Sequence, residues 1–474
     1  MGTSFKVLRV RAMVASGIEN SIIDYALSLS LDDLSSDAIN QAKRRILDTF
    51  GCALGGMDSD PARIAMKMAQ GVTAGPSSRI FGSLVTTTPE SAAFANGTML
   101  RYLDINDTHR TIDGSHPSDN FGGLVAMVEA LDGSGRDLLL AFAISYEIQC
   151  RFVDSVPFND NGWDQPVPGI MACALACARL LGLDREKTRN ALALAVIPNL
   201  CTYQTRAGEL SMWKGCAAAN GSRNGIFAAR LAAEGLTGPY EAFDGIFGLW
   251  NQTVPAPARF PELVRREGTH SVQQTNIKMY PVRDSCQLPV ETAKDLRAKI
   301  SASEIAALTI DTYQSAHKGA VADPELWAPK TRETADHSML VSIAVTLIDG
   351  TITPDSFSEK RFLDADVLAL INRTNVNINE TFSNQAPATR NCRLTAVTSD
   401  GASHVAHRTL TAADIEAGPS DDDLLDKFRM LTNAHYSPEF QDRMIEACMA
   451  IEECERISEL VDLTALHEGS TQTQ

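Results

Sequence analysis

Between residues 91 and 234 the chain offers one helix-forming stretch after another, and that succession limits the possible folds more than any other feature. The segments 91–103, 120–131, 137–152, 169–183, 185–196 and 214–234 are rich in Ala with Gly interspersed. Small residues let helix axes approach closely, as in a buried multi-helix bundle. The ends are signalled too. Thr87 to Glu90 reads as a capping box with Pro89 in the first turn, and Asp184 is placed to cap the helix after it. Gly235 and then Gly238-Pro239 close the longest stretch.

The pattern changes after about Thr275. The run Leu308-Thr-Ile-Asp-Thr-Tyr313 alternates as a half-buried strand does, and predicts a strand over 307–315. Segments 393–398 and 404–409 flank Asp400-Gly401, a strong hairpin signal. Helical stretches are expected at 334–348 and 364–372. From Ser420 the chain reads as helical again, with Asp421–Asp423 suited to a first turn, and 441–461 returns to the bundle. The tail after Glu468 is polar. The reading is a mainly α chain with an α+β insertion: 1–274 helical, 275–410 α+β, 411–474 helical.

Charge and hydropathy exclude several classes of function. Apolar residues make up 44% of the 474, enough for large cores, so a wholly disordered chain is excluded. The formal charge is −17, which argues against nucleic acid as the main partner. Apolar runs such as 138–144 stop at about a third of the ~20 residues a membrane span needs, so no membrane partner is expected. Lys6, Arg9 and Arg11 precede no secretory apolar region, and Lys6 stands where a myristoylation signal wants Ser or Thr. Ten cysteines without a C-x-x-C pair suit reduced thiols in the cytoplasm; Cys173 and Cys177 share a helix face as core residues would.

The densest polar stretch runs from Arg101 to Asn120. Asp104, Asp107 and Thr108 share a face if the preceding helix continues through them. Gly114 to Pro117 forces a turn that presents His116 from a loop, where a carboxylate such as Asp104 can orient and tune the imidazole. Asp119 or Asn120 has a plain alternative as a helix N-cap, and Asp113-Gly114 as a turn. Nucleotide, nicotinamide, serine-hydrolase and zinc motifs are absent. The four tryptophans are scattered, and His404 and His407 alternate faces on a strand, a poor metal pair.

These segments also carry a resemblance. Leu103-Asp-Ile-Asn-Asp-Thr108, Ser115-His-Pro-Ser-Asp-Asn120 and Tyr146-Glu-Ile-Gln149 are similar to motifs of the MmgE/PrpD family. So are Lys214-Gly-Cys-Ala-Ala-Ala-Asn-Gly221, Lys278-Met-Tyr-Pro281 and Ala335-Asp-His-Ser338, all in order over roughly residues 20–460. The family includes 2-methylcitrate dehydratase, cis-aconitate decarboxylase and iminodisuccinate epimerase, and the likeness is greatest to the dehydratase branch. The resemblance implies a helical domain built from both chain ends, an inserted α+β lid, a homodimer, and a site at the junction without metal or organic cofactor. By position it carries over Asp104, Thr108, His116 and Lys278, with Lys214 and His337 as further matches. Two departures stand out: Gln165 and Gln287 occupy places where the dehydratase branch tends to have histidine. Glutamine hydrogen-bonds a carboxylate but does not shuttle a proton.

The reactions implied all build negative charge on carbon beside a carboxylate, on a substrate that is already anionic. Fixed cations in a dry site stabilise that charge. The candidates are Lys214, Lys278 and Arg283, with Arg110 and Arg206 as additions, and Gln165, Gln287, Thr108 and His337 as substrate contacts. The expectation is therefore a cofactor-independent lyase for a small di- or tricarboxylate, with His116 as acid/base, Asp104 as its partner and Lys278 as catalytic cation. Decarboxylation and epimerisation are the alternatives within enzymes, and a carboxylate-binding or scaffolding homologue without turnover is the alternative outside them.

Overall fold

The computed structural model describes residues 17–71 and 75–466. The basic residues at 6, 9 and 11 and the polar tail after 468 lie outside that range. The chain is mainly helical, 58% helix against 10% strand, with a small sheet toward the C-terminal side.

The helices of the first part are α1 (17–28), α2 (Ser36–Gly56), α3 (Asp60–Ala69), α4 (Pro89–Tyr102), α5 (Phe121–Ala130), α6 (Gly135–Val153), α7 (Pro166–Leu180), α8 (Arg185–Val196) and α9 (Trp213–Ala233). Their starts follow side-chain caps. Ser35 accepts from Ala38 N–H, Ser134 and Asp137 form a reciprocal box, and Asp184 accepts from Lys187 N–H. α4 is capped by Thr88, one residue later than the sequence suggests, with Pro89 in its first turn. Close packing depends on missing side chains. A Cβ on Gly97 of α4 would sit 2.9 Å from the Ala219 Cβ of α9, and one on Gly225 of α9 would meet Cys173 of α7 at 2.8 Å.

Among the described residues two large apolar cores form, with two small clusters of four buried residues each beside them. The first takes residues from Ile18 to Ile277 and then from Leu424 to Val461, so the last helices, Asp421–Thr432, Pro438–Met449 and Ile457–Asp462, pack with the first. A column of aromatic rings runs through it, Phe50 to Phe121 to Phe142 to Tyr146, at centroid spacings of 4.9, 5.9 and 4.3 Å. The second core takes Val282 to Ala406. The 441–461 stretch is not one helix; a short 3₁₀ turn at Ile451–Glu453 divides it.

Two short ribbons pair β1 (Ser78–Arg79) with β2 (Thr86–Thr87) and β3 (His109–Arg110) with β4 (Gly114–Ser115). The main sheet holds β5 (Ile305–Thr312), β6 (Thr374–Ile378), β7 (Thr389–Thr398) and β8 (Ser403–Thr411) in the order β6-β5-β7-β8. β7 and β8 form the hairpin read from Asp400-Gly401, with Val397 opposite Ser403 and Gly401 at φ +88°. β5 runs antiparallel to β7 and parallel to β6. Sequence reading passed over β6: its Thr-Asn-Val-Asn-Ile pattern alternates, but on an edge with little apolar content. The expected helix 334–348 is instead two, Arg332–Ala335 and Met339–Asp349, because Ser338 caps the second by accepting from Val341 N–H. Asp336 and His337 lie in the break.

Among the described residues no helix is long and apolar enough to cross a membrane. All ten cysteines are free thiols, eight of them buried.

Candidate active site

Helix α4 ends at Tyr102, so Asp104, Asp107 and Thr108 do not share a helical face as the sequence suggested. Asp104 instead adopts φ +52°, a left-handed conformation that costs free energy for an L residue other than Asn, Asp or Gly. The surroundings hold it there. Tyr146, at the end of the aromatic column, donates to Asp107 Oδ2 at 2.7 Å. Lys427, from the C-terminal helix Asp421–Thr432, is buried against Asp48 and donates to the Ile105 carbonyl at 2.9 Å.

Asp104 is the centre of a buried charge cluster. Arg101, one turn earlier, donates to its Oδ1 at 2.5 Å, and Lys278 donates to the same oxygen and to the Asp104 carbonyl at 2.7 Å. Lys214 lies 3.0 Å from Oδ2 and donates to both oxygens of Asp336 at 2.7 and 2.8 Å. Burial alone would raise the Asp104 carboxyl, but Arg101, Lys214 and Lys278 hold it well below the usual carboxylate range. Lys214 and Lys278 are pushed down by burial and partly restored by Asp104.

The two histidines differ in what their nitrogens do. His116 donates from Nδ1 to the Asp107 carbonyl at 2.6 Å, so Nε2 carries the lone pair, and Arg101 Nη2 donates to it at 3.0 Å. Burial, then Arg101 and Lys278, drive its pKa well below 6.5. Both nitrogens are engaged and the ring is neutral, so His116 is no idle loop residue. His337 uses only Nδ1, which donates to Asp336 Oδ1 at 2.6 Å. Burial and Lys214 bring its pKa down to about 3 against the pull of Asp336. That leaves a neutral imidazole, oriented by a carboxylate, whose Nε2 has no hydrogen-bond partner among the described residues.

Both histidines line a narrow polar cavity between the two cores. Its wall holds five cations, Arg101, Arg110, Arg206, Lys278 and Arg283, against three carboxylates, Asp104, Asp164 and Asp284. On a chain of charge −17 this local excess of cations selects for an anion. Of the sixteen buried side-chain polar atoms without a hydrogen bond among the described residues, six belong to residues of this wall. Arg206 Nη2 and Arg101 Nε are among them, donors that a bound anion or water would satisfy.

Other predicted residues have different places. Gln165 lines the cavity; its Oε1 accepts from Ser115 and the His116 N–H, and its Nε2 donates to Asp119 at 2.9 Å. Asp119 is thus a hydrogen-bonded carboxylate rather than a cap. Asn120, whose amide donates to Ser145, Gln149 and the Gly169 carbonyl, makes no cap bond either. Thr108 does not line the cavity: its backbone bridges to Asn276 and its hydroxyl donates to the Ser115 carbonyl. Gln287 is also away from it. Its Oε1 accepts from the Met279 and Tyr280 N–H groups and its Nε2 donates to the Tyr280 and Val282 carbonyls, which clamps the loop after Lys278. Sequence reasoning gave no role to Arg101, although its position one turn before Asp104 is a usable signal. It also missed Asp284, which joins Arg110 and Arg390 at 3.0 Å each.

Asp104, Asp336 and His337 stand close enough to chelate a metal ion. The donor set does not suit one, since each carboxylate is already paired with buried ammonium or guanidinium groups that a divalent ion would have to displace.

Comparison with known proteins follows the same lines. A 2-methylcitrate dehydratase of Cupriavidus necator is 29% identical over 376 residues, 74% of this chain and 75% of that protein. A cis-aconitate decarboxylase of Homo sapiens is 27% identical over 473 residues, 95% of each chain. A 2-methylcitrate dehydratase of Escherichia coli K12 is 27% identical over 75% of this chain and 76% of that protein. Residues 20–259 match the MmgE/PrpD N-terminal domain and residues 280–452 the MmgE/PrpD C-terminal domain, so the chain belongs to the MmgE/PrpD family.

Proposed function

We propose that the protein is a lyase that acts on a small di- or tricarboxylate without a cofactor, most like 2-methylcitrate dehydratase. The observation that carries this reading is the His337 imidazole, held by Asp336 through Nδ1, in the wall of a cavity with an excess of cations. In the proposed reaction His337 Nε2 takes the proton from carbon next to a substrate carboxylate. Arg101 and Lys278 face the charge that develops there, and Lys278 is the proton donor to the departing hydroxyl. His116, with its lone pair occupied by Arg101, fixes that guanidinium rather than moving a proton. This reassigns the acid/base role from the sequence expectation, because a base needs a free lone pair.

The α+β segment 275–410 serves as a lid in this account, supported by its separate core and by the four wall residues it supplies, Lys278, Arg283, Asp284 and His337. The proposal includes a homodimer, to be tested by light scattering, and cytoplasmic residence.

Decarboxylation is the second reading. The alignment with the human cis-aconitate decarboxylase spans 95% of both chains, against 74% of this chain for the Cupriavidus dehydratase. Loss of CO2 needs no base for a carbon-bound proton, only cations for the new charge and an acid to protonate carbon. Incubation with 2-methylcitrate, cis-aconitate and a panel of chiral diacids, read by mass spectrometry and chiral separation, tests both. Loss of water supports the first reading and loss of CO2 the second. Turnover by wild type that survives in His337→Gln overturns the assignment of the base. An inert panel that still stabilises the fold would favour a binding protein.

A further inference from the structure

Two of the cavity's arginines lie on glycines. A Cβ on Gly319 would come within 2.8 Å of Arg283 Nη2 and 3.0 Å of its Cζ, and Arg283 Nη1 donates to the Gly319 carbonyl at 2.5 Å. A Cβ on Gly114 would come within 2.7 Å of Arg110 Nη2 and 2.8 Å of its Cζ, across the ribbon in which Gly114 and Arg110 are paired. Neither glycine is among the residues of positive φ, so the backbone does not require glycine at either place. Gly319 even lies within the helix Gln314–Ala320, where propensity favours alanine. What glycine supplies at both positions is a floor without a side chain, on which the planar guanidinium of a cavity arginine can lie.

We infer that Gly319 and Gly114 are positioning residues that set how far Arg283 and Arg110 reach into the cavity, and thereby which polycarboxylate fits by length. The inference rests on the polycarboxylate reading above. Guanidinium recognition of carboxylate is bidentate and angular, so displacement of the fork by a methyl group loses the pairing while every charge is kept. Arg110 is further fixed by Asp284, to whose Oδ2 it donates from Nε at 3.0 Å. An alanine at 319 or 114 pushes against the far end of a flexible side chain, so the fold absorbs it and the guanidinium moves.

The test is a double-mutant cycle on the full chain, read by calorimetric binding of propane-1,2,3-tricarboxylate and of succinate. Gly319→Ala is expected to weaken the tricarboxylate by about tenfold and succinate by clearly less, with an unchanged or raised Tm. In an Arg283→Lys background, where no planar fork lies on the floor, the same change is expected to alter binding by less than about twofold. Gly114→Ala with Arg110→Lys gives a second cycle. Equal losses in both backgrounds, or no loss in Gly319→Ala while wild type binds, overturn the inference and leave the polycarboxylate reading standing. Wild type that binds neither acid overturns both.

Discussion

Asp104→Asn is the most informative substitution. Asparagine tolerates the left-handed backbone that Asp104 adopts at φ +52°, so the change removes charge without backbone strain. What it leaves behind decides the magnitude. Lys214 keeps Asp336, and Arg101 keeps Asp119 at 3.6 Å, whereas Lys278 keeps only neutral acceptors, the backbone carbonyl of residue 104 at 2.7 Å and the amide oxygen of the new side chain. One buried ammonium is thus stripped of its counterion, which costs about 3 kcal/mol, the lower end for a broken buried pair. For a chain of 474 residues that is a Tm fall of about 3 °C by scanning calorimetry. The cavity meanwhile gains one positive charge, so stabilisation by propane-1,2,3-tricarboxylate is expected to exceed that of wild type even as turnover is lost. The pH dependence follows from the sign of the shift. A carboxyl held below its unfolded value contributes stability that is complete above about pH 4 and lost only as pH falls through the folded value. The wild-type advantage should therefore persist from neutral pH down to about 4 and close below it. A variant as stable as wild type at pH 7, with the same response to the tricarboxylate, would refute Asp104 as the counterion of the cluster.

The remaining predictions concern its surroundings. His337→Gln should reduce kcat by at least about 100-fold with a small change in KM, measured by steady-state kinetics; a KM effect alone would make His337 a binding residue. Because the folded pKa of His337 is about 3, the unfolded chain binds the extra proton between pH 6.5 and 3, so stability falls as pH falls through that window. His337→Gln should flatten the fall by about 1.4 kcal/mol per pH unit in acid-denaturation series, and an unchanged slope would contradict the neutral ring. Lys427→Met leaves Asp48 buried and unpaired and should cost about 3–5 kcal/mol by calorimetry, with a loss of kcat through the freed Ile105 carbonyl. Gln287→Ala removes four backbone contacts behind Lys278 and should lower stability by about 1–3 kcal/mol; thermal unfolding at wild-type temperature would show the clamp to be idle.

The helical part was legible because Ala-rich stretches, caps and terminal glycines act locally, and the Asp400-Gly401 hairpin for the same reason. The break that holds Asp336 and His337 was not. Residues 334–348 read as one helix, and only the Ser338 cap, competing with a further helical turn, divides it. Asp104, Lys214, Lys278 and His337 were identified through motif resemblance, and the structure brings both lysines into ion pairs with Asp104 and sets the His337 ring 3.6 Å from it. Their roles were not readable, since the availability of a histidine lone pair depends on partners distant in sequence. Thr108 and Gln287 show the converse: residues adjacent to site motifs whose side chains bond the protein's own backbone.

The central claim is that this cavity removes a proton or CO2 beside a carboxylate. The direct measurement is incubation of 2-methylcitrate and of cis-aconitate with wild type and His337→Gln, followed by mass spectrometry in H2O and D2O. Wild type is expected to remove water from 2-methylcitrate or, on the second reading, to release CO2 from cis-aconitate with a solvent deuteron placed on carbon. Loss of water is expected to fail in His337→Gln. Both acids recovered unchanged, with no effect of either on thermal stability, would contradict the central claim.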